Sequence, residues 1–202
     1  MDDFVNELVG AIIQVLVFAI IPFIWWLVSA RKSEKFFGWI GLKKIEHKGN
    51  GIVTIVISVA VFFLYGFATS FFTKAFPNAI TSAGSQFAGK GVSFIPVTIV
   101  YGFIRTGLSE EILFRGFLLK RAANKFGFIA GNIFQSVLFG LMHGIPFGIA
   151  SGNVLVAVIF TLLPGAVGFY MGWVNEKKCD GSIIPSWLMH GITNAVVTCL
   201  SL

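Results

Sequence analysis

Charge is what this sequence lacks. Asp, Glu, Lys and Arg make up 12% of its 202 residues, about half the roughly 25% of an ordinary soluble domain. So few charges cannot cover a water-facing surface, which excludes a soluble enzyme. With 56% hydrophobic residues a disordered chain is excluded as well. Cysteine is scarce too. Cys179 and Cys199 stand far apart without partners at ligand spacing, which rules out a disulfide scaffold and a zinc knuckle. Strand-like alternation is absent, and with it a transmembrane barrel; no internal repeat or separate soluble domain is visible. The basic excess, 15 Lys and Arg against 9 Asp and Glu, lies mostly in short loops. There it carries topology rather than a nucleic-acid surface, and no nucleic-acid partner is expected.

What is present is apolar sequence in bilayer-crossing lengths. Six helices of about 20 residues would use about 120 residues, close to the apolar share. The expectation is an all-α, polytopic transmembrane helix bundle of about six spans, one integral membrane domain over 1–202. The apolar runs are Leu8–Ser29, Gly51–Thr73, Val92–Leu119, Phe128–Met142, Asn153–Val174 and Ser182–Leu202. The acidic start, Asp2, Asp3 and Glu7, is unlike a signal peptide, so the first run is expected to be a retained span. Segments 31–48, 120–125 and 177–178 are rich in Lys and Arg, whereas 74–91 and 144–153 are poor in them. That alternation fits six spans with both ends on the outer side.

Within such spans the informative residues are the costly ones. An ionisable side chain at the helix centre costs about 2.5–3.5 kcal/mol on insertion scales and usually marks function. Arg105, Glu110, Glu111, Arg115, His143 and His190 qualify, with Asn132, Gln135 and Asn194 as neutral companions. Glu111 and Arg115 are four apart, in the favourable order for an ion pair. Glu110 points about 100° away, without a local counter-charge, as a general base would. Phe139 and His143 share one helix face, and so do His190 and Asn194. At about 1.5 Å per residue, Glu110 and His190 lie at similar depth, about 12–15 Å from the basic edge, whereas His143 comes out deeper. Asn132 and Gln135 are expected to form interhelical hydrogen bonds. Arg105 either snorkels or pairs with a glutamate, and His47 is a loop residue.

These pieces together resemble the CPBP family of intramembrane peptidases, which includes type II CAAX prenyl endopeptidases and bacteriocin-immunity relatives. Its first motif, Glu-Glu-x-x-x-Arg, stands here as Glu110, Glu111 and Arg115. Phe-x-x-x-His stands as Phe139 and His143, and His-x-x-x-Asn as His190 and Asn194. The motif-bearing core covers about 101–202, while the two spans within 8–73 carry no motif. The resemblance implies an endopeptidase in which Glu110 and His143 activate water and His190 and Asn194 stabilise the oxyanion. Glu111, Arg115 and Phe139 would be supports. It explains nothing about Arg105.

Alternatives remain at this stage. Glu110, His143 and His190 could supply three zinc ligands with a fourth position for water. The expectation is nevertheless no metal and no other cofactor, because no His-Glu-x-x-His helix is present. A non-catalytic immunity or scaffold protein binding a partner helix, or a small proton-relaying transporter, would carry the same charges. The final Cys199-Leu200-Ser201-Leu202 mimics a prenylation box by chance, since Ser201 is not aliphatic. The expected partners are the bilayer and a peptide or lipidated-peptide substrate. The expected location is a plasma membrane, bacterial by its compact Phe-rich spans.

Overall fold

The computed structural model describes residues 2–76 and 83–202. Among these the chain is helical, without strands, in seven elements: α1 (Asp2–Ser29), α2 (Phe36–Trp39), α3 (Gly51–Ala75), α4 (Val92–Phe126), α5 (Phe128–Ser151), α6 (Val154–Lys178) and α7 (Ile184–Cys199). Five of them, α1, α3, α4, α5 and α6, are long and apolar enough to cross a membrane. The expected sixth span is the 16-residue α7, about 24 Å long at 1.5 Å per residue, short of a hydrocarbon core of about 30 Å. The chain is an all-helical, multi-pass membrane protein.

The apolar and polar residues are inverted relative to a water-soluble fold. Ile13, Leu16, Ile21, Phe63, Phe67 and Ile149 face outward, while Glu111, Arg115, Asn132, Gln135, Asn175 and Ser186 are wholly buried. Lipid accepts the first set without penalty, and only the interior offers the second set hydrogen-bond partners.

Two compact units divide the chain. The first comprises Met1–Ile45, Ala83–Phe117 and Gly181–Leu202, and so holds α1, α2, most of α4 and α7. Here α4 and α7 approach almost backbone to backbone. A Cβ on Gly102 would stand 2.7 Å from the Ala195 amide nitrogen, and one on Gly191 would stand 2.4 Å from the Phe103 ring. Small residues at a helix crossing allow this approach. The Trp187 indole N–H donates to the Phe103 carbonyl at 2.6 Å and ties the same seam. Aromatic contacts of Trp25 and Trp39 with Phe117 pack the end of the unit near the basic segment.

The second unit comprises Glu46–Ser82 and Leu118–Asp180. Its centre is the α5–α6 hairpin. The predicted long connection over 144–153 is a two-residue turn: α5 runs on through Pro146 to Ser151, and Gly152 ends it in the left-handed region at φ 61°. Asn153 then caps α6, accepting from the Leu155 and Val156 amides. A proline inside a membrane helix is tolerated where neighbouring helices accommodate the freed carbonyl. The expected interhelical hydrogen bonds are present: Asn132 donates to the Phe169 carbonyl at 2.9 Å and Gln135 to the Gly168 carbonyl at 3.0 Å. Outside the spans, Lys48 pairs with Asp180, which raises the lysine above its ordinary value.

Two further boundaries differ from the sequence reading. The α4 helix continues through Lys120, Arg121 and Lys125, and α6 takes in Glu176, Lys177 and Lys178; these charges extend their helices beyond the apolar runs. Of the polar stretch 74–91, residues 77–82 lie outside the described residues.

The hairpin seam makes a stability prediction. A Cβ on Gly140 would stand 2.2 Å from the Thr161 carbonyl oxygen, a backbone atom that cannot rotate away. Gly140→Ala should therefore lower stability by about 1–3 kcal/mol through overpacking, read as a reduced unfolding temperature in detergent. Gly66→Ala, where the added methyl meets nothing within 4 Å, should be neutral by the same assay.

Candidate active site

The α4 helix is wound unusually around its two glutamates. Tyr101–Leu108 and Ile112–Leu119 form π-helical turns, and the three residues Ser109, Glu110 and Glu111 between them are α-helical. Such i→i+5 winding is uncommon and gathers at functional sites. Hydroxyl groups serve its carbonyls. Thr106 Oγ1 donates at 3.1 Å to both the Tyr101 and Gly102 carbonyls, and Ser109 donates to the Arg105 carbonyl.

Glu111 forms the expected pair with Arg115, at 3.0 Å, with both side chains fully buried. Its other partners come from α7. Ser186 Oγ donates to Glu111 Oε2 at 2.5 Å, and His190 Nδ1 stands 3.1 Å from Glu111 Oε1. A carboxylate only accepts, so Nδ1 carries the proton and Nε2 is the ring nitrogen turned toward Glu110. That nitrogen is 3.6 Å from Glu110 Oε2. His190 thus lies between two carboxylates with different surroundings: Glu111 inside an ionic cluster, Glu110 at its edge and 8% exposed.

Asn194 lies one turn beyond His190. Its Nδ2 donates to Thr106 Oγ1 at 2.9 Å. Because the Thr106 hydroxyl proton already serves helix carbonyls, the oxygen can only accept, and this fixes the amide with its nitrogen toward α4. An amide nitrogen carries two protons, so the contact uses one of them. The first unit therefore brings together Glu110, Glu111, Arg115, His190 and Asn194.

The second unit carries Phe139 and His143. The His143 ring stands 4.6 Å from the Phe139 ring, and Nδ1 donates to the Phe139 carbonyl at 2.8 Å. That bond fixes the tautomer and makes Nε2 the basic nitrogen.

Arg105 pairs with neither motif glutamate. Its Nη1 meets Glu7 Oε2 at 2.9 Å and its Nε meets Gln14 Oε1 at 3.3 Å, both on α1. Sequence reasoning also passed over Ser186 and Thr106. A signal existed for each: Ser186 stands four residues before His190 and Thr106 four before Glu110, on the same helix faces. Among the described residues, no group of three or more His, Cys, Asp or Glu side chains is placed to hold a metal ion.

The cluster predicts an asymmetric response to neutralisation. Glu111→Gln leaves Arg115 buried without its anionic partner and should destabilise the protein by about 3–5 kcal/mol. Glu110→Gln keeps the side chain's size and leaves the Glu111–Arg115 pair intact, so it should destabilise the protein less than Glu111→Gln. Thermal unfolding of both purified variants measures the contrast.

Neither a curated protein nor a solved structure matches the chain. A family model does, described as Type II CAAX prenyl endopeptidase Rce1-like, over residues 91–196. That stretch is more than half of the chain and contains Glu110, Glu111, Arg115, Phe139, His143, His190 and Asn194. The chain belongs to the type II CAAX prenyl endopeptidase Rce1-like family.

Proposed function

We propose that this protein is an intramembrane endopeptidase that hydrolyses a peptide bond with water activated by Glu110. The observation that carries the reading is the His190 imidazole, oriented by Glu111 through Nδ1 and presenting Nε2 toward Glu110 at 3.6 Å. A histidine oriented by a carboxylate on its far nitrogen is a recurring device of hydrolytic sites.

Glu110 removes a proton from water as the oxygen attacks the scissile carbonyl carbon. His143, by family resemblance, is the second group on that water. The carbonyl becomes a tetrahedral oxyanion, held by the His190 imidazole and by the second amide proton of Asn194. Collapse breaks the C–N bond. The proton held by Glu110 passes to the leaving nitrogen, so water and peptide yield a carboxylic acid and an amine. No covalent enzyme intermediate forms. Glu111 and Arg115 support this work by holding His190, and Phe139 by holding His143.

The reaction needs no metal in this reading. No step in it requires a Lewis acid. The substrate is a peptide or lipidated peptide reaching the site through the bilayer, and the membrane is the bacterial plasma membrane.

Purified protein and a panel of prenylated and unmodified peptides test the reading. Glu110→Gln should abolish cleavage while leaving the unfolding temperature in place; a Glu110→Gln protein that still cleaves overturns the proposal. Asn194→Ala should lower kcat by about 10²–10³-fold, the usual effect of removing one oxyanion donor, with little change in KM. Separately, cleavage should survive dialysis against a strong chelator; activity lost there and restored by zinc would overturn the metal-free route.

A further inference from the structure

The Arg105 cluster lies apart from the hydrolytic machinery and lines a cavity of about 290 Å³ in the first unit. Its walls come from the first turns of α1, the 83–91 segment and the start of α4. The cavity stands at the end of α1 opposite Arg31 and Lys32, where the apolar run begins. An α-helix of 28 residues is about 42 Å long, longer than the hydrocarbon core of about 30 Å, so its first turns stand at head-group level.

Glu7 is the unusual residue here. Its side chain is 8% exposed, yet only Oε2 is paired, with Arg105; Oε1 is buried without a hydrogen-bond partner. A buried acceptor left unmet is costly, so the site lacks a donor. The opposite charge is also on hand. Arg105 uses Nη1 and Nε on Glu7 and Gln14, which leaves Nη2 for an anion, and Lys90 lines the same cavity with its ammonium over the Phe94 ring at 5.5 Å. Phe87 and Val97 complete an apolar wall.

An unmet acceptor, two cations and an apolar wall at head-group depth describe one ligand chemistry: a primary ammonium joined to a phosphate, with a hydrophobic remainder. The volume lies at the lower limit of small-ligand sites, which fits a head group and not a folded peptide. We propose that this cavity binds the head group of an aminophospholipid such as phosphatidylethanolamine, its ammonium on Glu7 Oε1 and its phosphate between Lys90 and Arg105. The proposal uses no part of the Glu110 site, so peptide hydrolysis can fail its own test without affecting it.

Lipid selectivity tests it. Purified protein is reconstituted in nanodiscs of phosphatidylcholine, with phosphatidylethanolamine or phosphatidylglycerol titrated in, and bound lipid is counted by native mass spectrometry. Phosphatidylcholine offers no N–H donor and phosphatidylglycerol no cation. Phosphatidylethanolamine should therefore be retained at least 10-fold more strongly than either. Glu7→Gln should abolish that preference. Lys90→Met, at an exposed position outside the Arg105–Glu7 pair, should weaken retention with the unfolding temperature unchanged. Soluble phosphoethanolamine should not compete at equal concentration. Equal retention of all three lipids, a Glu7→Gln protein that keeps the preference, or full competition by the soluble head group would each overturn the assignment.

Discussion

The buried ion pair between Glu111 and Arg115 is the constraint on which the first unit depends. Both side chains are removed from solvent entirely, and two charges taken out of water are stable only with close geometry and further hydrogen bonds. Those bonds come from α7, through Ser186 and His190. The cluster therefore sets the position of α7 against α4 more strictly than apolar packing would, because lipid tails compete equally well for apolar side chains. The glycines of the crossing permit the approach, and the carboxylate determines its register.

Electrostatic division follows from that register. Two adjacent carboxylates would repel if they shared one environment. Here one is paired with an arginine and bonded to the imidazole, while the other stands at the cluster edge, 3.6 Å from that imidazole. The two neighbouring carboxylates thus have different surroundings because of where each helix turn points.

Much of this was legible in the sequence, for a physical reason: a membrane makes polar residues conspicuous. The low charge, the apolar lengths and the Glu111–Arg115 spacing all led to features that the structure contains. The interhelical amides Asn132 and Gln135 were equally readable. Helix ends were not, because Pro146 and the Lys120–Lys125 charges look like terminators in water but are tolerated where a helix is held by neighbours or emerges from lipid. The π-winding of α4 leaves no trace in residue periodicity over so short a length. The partner of Arg105 was left open by the sequence, since Glu7 lies 98 residues away and no local spacing links the two.

The α5–α6 hairpin has a mechanical meaning. A two-residue turn and glycine contacts that leave no room even for a methyl group make it a stiff double rod. His143 precedes Gly144, whose added Cβ would stand 2.0 Å from Thr161 Oγ1, so its backbone cannot slide along α5 without carrying the packed turns of α6 with it.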